Sequence, residues 1–188
     1  LASFWMNSEV DGDRLTAEEF TWFFVFLLME EGARVAMASG LQLLFDNPDQ
    51  LEILMSDIDG HIETAVDEIL RFSGPVPCFK RTAVKDVTMR GQHIKAGDSV
   101  MLFYASANRD EDIFENPNTF DITRNPNPHV TFGGFGPHEC LGKHVARVEI
   151  AVMFKELLTL MPNITSNGEI ERAKTNLVAA ISYMPVKY

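Results

Sequence analysis

A cysteine closes the most unusual stretch of this chain, Thr131-Phe132-Gly133-Gly134-Phe135-Gly136-Pro137-His138-Glu139-Cys140-Leu141-Gly142. Glycines, a proline and two phenylalanines precede it. From Leu141 onward Val145, Val148, Ile150, Val152, Met153, Leu157, Leu158 and Met161 recur at helical spacing. Cys140 is therefore expected where a glycine-rich turn feeds a helix. Unpaired backbone N–H groups and the positive end of the helix dipole gather at such a junction, and both favour a thiolate over a thiol. A thiolate on a rigid loop can be a nucleophile, a redox group or a metal ligand, and the cysteine alone does not choose among them.

Two other places carry charge at informative spacing. Glu68-Ile69-Leu70-Arg71 puts an acid and a base at i and i+3 on one helix face, close enough to pair. Phe120-Asp121-Ile122-Thr123-Arg124 adds an arginine within residues 108–130, a segment rich in Asn, Asp and Pro with little periodicity. A connection of that length without secondary structure is uncommon unless it is functional. A dinucleotide fingerprint at Gly134-Phe135-Gly136 is poor, because the third glycine of G-x-G-x-x-G is Glu139 and no βαβ pattern surrounds it.

The elements that must position these groups read as mainly α with small β-sheets, an α+β chain forming a single domain over residues 1–188. Thr16-Ala17-Glu18-Glu19 is a capping box, and the helix it opens runs to about Asp46. That helix is apolar nearly all round, so it is expected to be buried through a larger body. Helical pattern continues over Leu51 to Ser56. Another helix covers about Gly60 to Phe72, with Ile62, Val66, Ile69 and Leu70 inward, and Pro75-Val76-Pro77 stops it. Strands are expected at Arg81–Val84, Val87–Met89 and Gln92–Ile94, with Arg90-Gly91 and Ala96-Gly97-Asp98 as turns, and one or two more within Leu177–Val186.

Composition excludes several classes. With 188 residues, 46% of them hydrophobic, the chain can build a core. A net charge of −11 argues against a nucleic-acid or anionic-membrane surface. Cys78 and Cys140 are too few for a disulfide framework, so a reducing cytoplasm is the expectation. The longest apolar run, Phe20 to Met29, falls short of the ~20 residues of a membrane span. No signal peptide is read. The start at Leu1-Ala2-Ser3, without an initiator methionine, suggests a piece of a longer protein.

Glu68–Arg71, Phe120–Arg124 and the loop ending His-Glu-Cys-Leu-Gly, in this order and spacing, resemble the cytochrome P-450 haem-thiolate monooxygenases of soluble bacterial type. Ser106-Ala107-Asn108-Arg109-Asp110-Glu111 and Asn125-Pro126-Asn127-Pro128-His129-Val130 look like that family too, in particular its actinobacterial members, some of which hydroxylate steroid or branched-lipid side chains. The likeness covers nearly the whole chain but only the C-terminal half of the family fold: the long central helix, the E-x-x-R helix, the cysteine-ligand loop and the helix after it.

The resemblance implies haem b as cofactor, with Cys140 as the axial metal ligand, whose thiolate donates electron density to iron. It makes His138 and Arg81 the partners of the haem carboxylates. Phe135 and Gly136 would let the loop lie flat beneath the porphyrin, and Gly142 would let helix and haem approach closely. Glu68, Arg71 and Arg124 would be a structural ion network rather than catalytic groups. Val76, Cys78 and Phe79, and Ala180 to Tyr183, resemble substrate-contact strands, with Cys78 packing rather than reacting. In the family, the central helix carries Ala-Gly-x-Asp/Glu-Thr for proton relay. Here Glu31 falls on the acid position as the catalytic candidate, Gly32 on the threonine position, and Leu28 and Met29 replace Ala-Gly. The usual aromatic seven residues before the cysteine is Gly133, with Phe132 one residue earlier, an arrangement found in the steroid side-chain type.

The activity implied is insertion of one oxygen atom of O₂ into a lipophilic substrate, with electrons from NAD(P)H through a ferredoxin and its reductase. Lys143 and Arg147 are read either as a docking face for that acidic donor or as a solvated basic face. The missing alcohol at Gly32 keeps open a peroxide-using or reductase-type haem-thiolate enzyme. A truncated copy that binds no haem is the non-enzymatic alternative.

Overall fold

The computed structural model describes residues 2–28, 31–134, 136–175 and 178–188. The chain divides into two compact units, residues 1–31 and 32–188.

The first unit holds α1 (Ala2–Met6), the hairpin β1 (Glu9–Val10) and β2 (Asp13–Arg14), and α2 (Ala17–Leu28). Asp11 and Gly12, both at positive φ, make the two-residue turn of the hairpin. The capping box forms: Thr16 N donates to Glu19 Oε2 at 2.9 Å, and Glu19 N donates to Thr16 Oγ1 at 3.2 Å. Burial of α2 is not what the structure shows. Trp22 is 68% exposed, and Phe23 and Val25 are open as well. Among the described residues of this unit, Trp5 packs edge-to-face against Phe23. The single helix expected up to Asp46 is present as α2 and α3 (Glu31–Asp46), and the intervening Met29 and Glu30 lie outside the described residues.

The second unit continues with α4 (Pro48–Ser56) and α5 (Ile58–Ser73). Proline at the first position of α4 follows from its preset φ and missing N–H. Asp57 caps α5 by accepting from Gly60 N at 2.9 Å, and left-handed Gly74 ends it. The inward stripe of α5, with Ile62, Ala65, Val66, Ile69 and Leu70, is buried as its spacing requires.

Next come β3 (Cys78–Thr82), β4 (Val87–Met89), β5 (Gln92–Ile94), β6 (Ser99–Phe103) and the short α6 (Tyr104–Ala107). β3 pairs antiparallel with β6 from Cys78↔Phe103 to Thr82↔Ser99. The strand expected at Arg81–Val84 thus starts three residues earlier. Its partner β6 sets the register, while Ala83 turns out to bond Asp98 and Val84 stands 93% exposed. β4 pairs with β5 around Arg90 and Gly91, both at positive φ.

The described residues from Asn108 to Gly142 run in turns and bends until α7 (Lys143–Leu160). Then β7 (Thr165–Ser166) pairs with β10 (Val186–Lys187), and β8 (Glu171–Arg172) with β9 (Ile181–Tyr183). The core joins α3, α4, α5 and α7, with Leu44, Leu54, Ile69, Ile122, Ile150 and Phe154 fully buried. α3 passes so near its neighbours that a Cβ on Gly40 would lie 2.7 Å from Ile69 Cγ2 and 2.9 Å from Phe154 Cζ.

Candidate functional site

The site is built outward from one buried face of α5. Glu68 and Arg71, both with 0% exposed side chains, form a two-pronged pair, Nε to Oε2 and Nη2 to Oε1 at 2.7 Å each. Arg71 uses all five of its donors, because Nη1 also reaches Asn108 O at 2.8 Å and Pro117 O at 2.9 Å, and Nη2 reaches Thr119 O at 3.1 Å. Glu68 is equally engaged. It accepts from Asp121 N (2.9 Å), Arg124 Nε (3.2 Å) and Asn127 Nδ2 (3.0 Å) in addition. Arg124 then spreads over the carbonyls of Glu115, Asn116 and Thr119. A buried charge pair contributes little net stability by itself. Here it stands in for secondary structure, binding a strandless segment to a helix through its backbone groups.

A second tie comes from residues that pattern reading did not single out as site residues. Asn108, fully buried, donates to Thr131 Oγ1 at 2.9 Å and to Arg71 O at 3.3 Å, and accepts from Val130 N at 2.8 Å. Thr131 Oγ1 in turn donates to Leu70 O at 2.9 Å. The start of the cysteine loop is thereby fastened to the last turn of α5. Arg109 lies over the Phe72 ring at 4.5 Å and donates to Phe72 O, which covers the open carbonyl end of that helix. Burial and the neighbouring Arg71 charge both pull its pKa below the ordinary value.

The loop itself closes on a backbone bond from Cys140 N to Phe132 O at 2.9 Å. Gly133, at φ +89°, supplies the turn this closure needs. Cys140 is a free, half-buried thiol three residues before the first residue of α7, with Gly142 as the N-cap. Gly136, at φ +141°, and His138 are exposed, and Phe135 lies outside the described residues. Arg81 is exposed on β3, and among the described residues its guanidinium bonds only the neighbouring Lys80 O. The structure brings Glu68, Arg71 and Arg124 together. It shows no bond joining His138 to Arg81 or either of them to Cys140 among the described residues. Glu31 begins α3 with a helical backbone, and its side chain lies outside the described residues.

Behind the loop sits a further cluster. Arg147 on α7 donates from Nε to Asp67 Oδ1 on α5 at 2.8 Å, and His129 Nε2 lies 3.3 Å from the same oxygen. Thr131 N donates to His129 Nδ1 at 3.3 Å, which leaves Nε2 as the protonated nitrogen facing Asp67. Burial pushes the Asp67 carboxyl up, but the bonds from His129 and Arg147 and the charge of Arg147 outweigh it and hold the pKa below the usual range. Arg147 also lies over the Phe132 ring, 4.7 Å from its centroid. Lys143 pairs with Glu139 at 2.8 Å. The two cations read as a docking face are therefore both engaged within the chain.

The chain is similar to known proteins in sequence and in fold. The family model described as Cytochrome P-450 matches residues 35–165. The chain is 43% identical to the methyl-branched lipid omega-hydroxylase of Mycobacterium tuberculosis H37Rv, covering 100% of this chain and 44% of that protein. It is 40% identical to the steroid C26-monooxygenase of Mycolicibacterium smegmatis, covering 97% and 43%. A cytochrome P-450 of Mycobacterium marinum, solved in complex with pseudoionone, superposes with a TM-score of 0.95 at 44% identity, over 100% of this chain and 46% of that one. The chain thus spans less than half the length of these relatives. No helix among the described residues is long and apolar enough to cross a membrane.

Proposed function

Since the chain belongs to the cytochrome P-450 family, we propose that residues 1–188 are the C-terminal part of a single haem domain, in an enzyme that hydroxylates a lipophilic substrate. Enzymes of this family bind haem iron through a cysteine thiolate. The residues present suit that group. Cys140, a free thiol at the end of the glycine loop, would supply the one protein ligand that haem iron needs. Cβ atoms on Gly134 and Gly136 would meet nothing within 4 Å, so the loop offers an open surface for a flat group.

Cys140 is the proposed iron ligand, with Phe135, Gly136 and Gly142 shaping the surface beside it. His138 and Arg81, both exposed, are proposed to pair with the haem carboxylates. When bound, the haem supplies the activation of O₂. Glu31 is proposed to carry a proton toward the oxygen side. Glu68, Arg71 and Arg124 are proposed to do no chemistry but to hold residues 108–127, the segment that leads into the cysteine loop. The observation that carries the reading is this fully buried, fully bonded pair, which fixes the segment leading to the loop that ends in a free thiol, the loop's own start being fastened by Asn108 and Thr131.

The similarity to a branched-lipid and a steroid hydroxylase supports a substrate with an aliphatic side chain. Electrons from NAD(P)H through a ferredoxin-type donor, in the cytoplasm, complete the proposal. Reduced carbon-monoxide difference spectra of the 188-residue chain and of a full-length version test it. Cys140→Ser or Cys140→His is expected to abolish the thiolate Soret signature, and an unchanged spectrum would remove Cys140 as the ligand. Gly32, in the place of the family's alcohol, favours a second reading in which hydrogen peroxide supports turnover without a reductase. Turnover that requires the electron donor would exclude it. Failure of both versions to bind haem would leave the non-functional copy.

A further inference from the structure

We infer that Asp67 is a positioning residue for the cysteine ligand, acting through Arg147 and His129 to set where the loop from Phe132 to Cys140 lies. The inference rests on the haem-thiolate reading for what the loop holds, but its mechanical part stands on geometry alone.

Among the described residues, Asp67 is the only anion that either His129 or Arg147 contacts, and both contacts go to the same oxygen, Oδ1. Each partner reaches the cysteine loop from a different side. His129 precedes the loop, and its other ring nitrogen accepts from Thr131 N, the first residue of the stretch. Arg147 sits on the helix that follows the loop, and its guanidinium covers the Phe132 ring at 4.7 Å. Phe132 then contributes the carbonyl that takes the Cys140 N–H at 2.9 Å. One carboxylate oxygen on α5 thus ties the entry of the loop to the helix at its exit. The His129 side chain is 2% exposed, so water does not readily replace the bond it loses.

The neighbouring Glu68–Arg71 pair does a different job. It binds residues 108–127, whereas none of its bonds reaches Phe132 or Cys140. Another ion pair, Lys155–Asp59, also joins α7 to α5 but lies on exposed side chains away from the loop. It is the natural control.

Asp67→Asn keeps size and an acceptor oxygen while removing the charge that holds two donors. In amide hydrogen exchange on the intact chain, the Cys140 N–H is expected to exchange roughly tenfold faster or more, the scale of one lost charge-assisted hydrogen bond. The Asp121 N–H, bonded to Glu68, should keep its protection, and Asp59→Asn should change neither. An equal rise at both amides, or no rise at Cys140, overturns the inference. In the haem-loaded protein, Asp67→Asn should shift the reduction potential and weaken the thiolate Soret signature, and Asp67→Glu should restore part of each. A potential and spectrum identical to the parent, with Cys140 exchange raised, would show that the clamp holds the loop but does not tune the ligand, which also overturns it. If Cys140→Ser leaves the haem spectrum intact, the haem-thiolate reading fails, while the exchange result still judges the clamp.

Discussion

Replacing Arg71 with leucine tests the idea that one ion pair substitutes for secondary structure over a strandless segment. The substitution leaves Glu68 buried at 0% exposure, with its two-pronged partner gone. Breaking a buried pair from one side costs about 3–5 kcal/mol, here because Glu68 keeps only the single, longer contact with Arg124 against its charge. Three carbonyls lose a donor. Thr119 O keeps Arg124, Pro117 is half-open to water, and Asn108 is fully buried, so only Asn108 O carries the full penalty of about 1–3 kcal/mol. A loss of about 4–8 kcal/mol follows, comparable to the whole stability of an ordinary domain. Urea unfolding followed by far-ultraviolet circular dichroism should find no cooperative transition in Arg71→Leu at room temperature. Arg71→Lys should be intermediate, because three donors on one ammonium cannot span the five bonds that the planar guanidinium makes. Glu68→Leu combined with Arg71→Leu should recover part of the stability, since no fully buried charge is then left and Arg124 keeps its carbonyl partners. It should still lose the thiolate signature, because nothing then holds Asp121 N or Asn108 O. An Arg71→Leu protein within about 1 kcal/mol of the parent would refute the reasoning.

Two further outcomes follow from the geometry. Gly40→Ala should destabilise by about 1–3 kcal/mol in the same unfolding assay, because its Cβ would press on Ile69 and Phe154 at the crossing of α3 with α5 and α7. Asp67 should also leave a pH signature. Its folded pKa is depressed, so its contribution is present above the ordinary aspartate range and is lost as pH falls through the folded value. Urea midpoints of the parent and of Asp67→Asn should therefore differ at neutral pH and converge in acid.

Much of the site could be read before any fold was known, and the reason is local chemistry. The capping box at Thr16, the inward stripe of α5, the Arg90-Gly91 turn and the cysteine at a turn–helix junction depend on neighbours within a few residues. Glu68 and Arg71 are three apart, so their pairing was legible, but their complete burial was not. What stayed hidden involves partners distant in the chain. Asn108 meets Thr131 and Arg71, and Asp67 meets His129 and Arg147, across separations that no periodicity encodes.

Where local pattern and tertiary context disagreed, context decided. β3 takes its register from β6 and not from the β-branched run after Arg81. Arg147, which looked like one of a pair of surface cations, is held by an aspartate and a phenyl ring. By itself the order of residues determined which helices and turns form and that a cysteine ends a glycine loop, since backbone preference and short-range capping act within a turn or two. Only the folded chain decided where that loop lies, because its position comes from buried charges whose partners meet after the helices have packed.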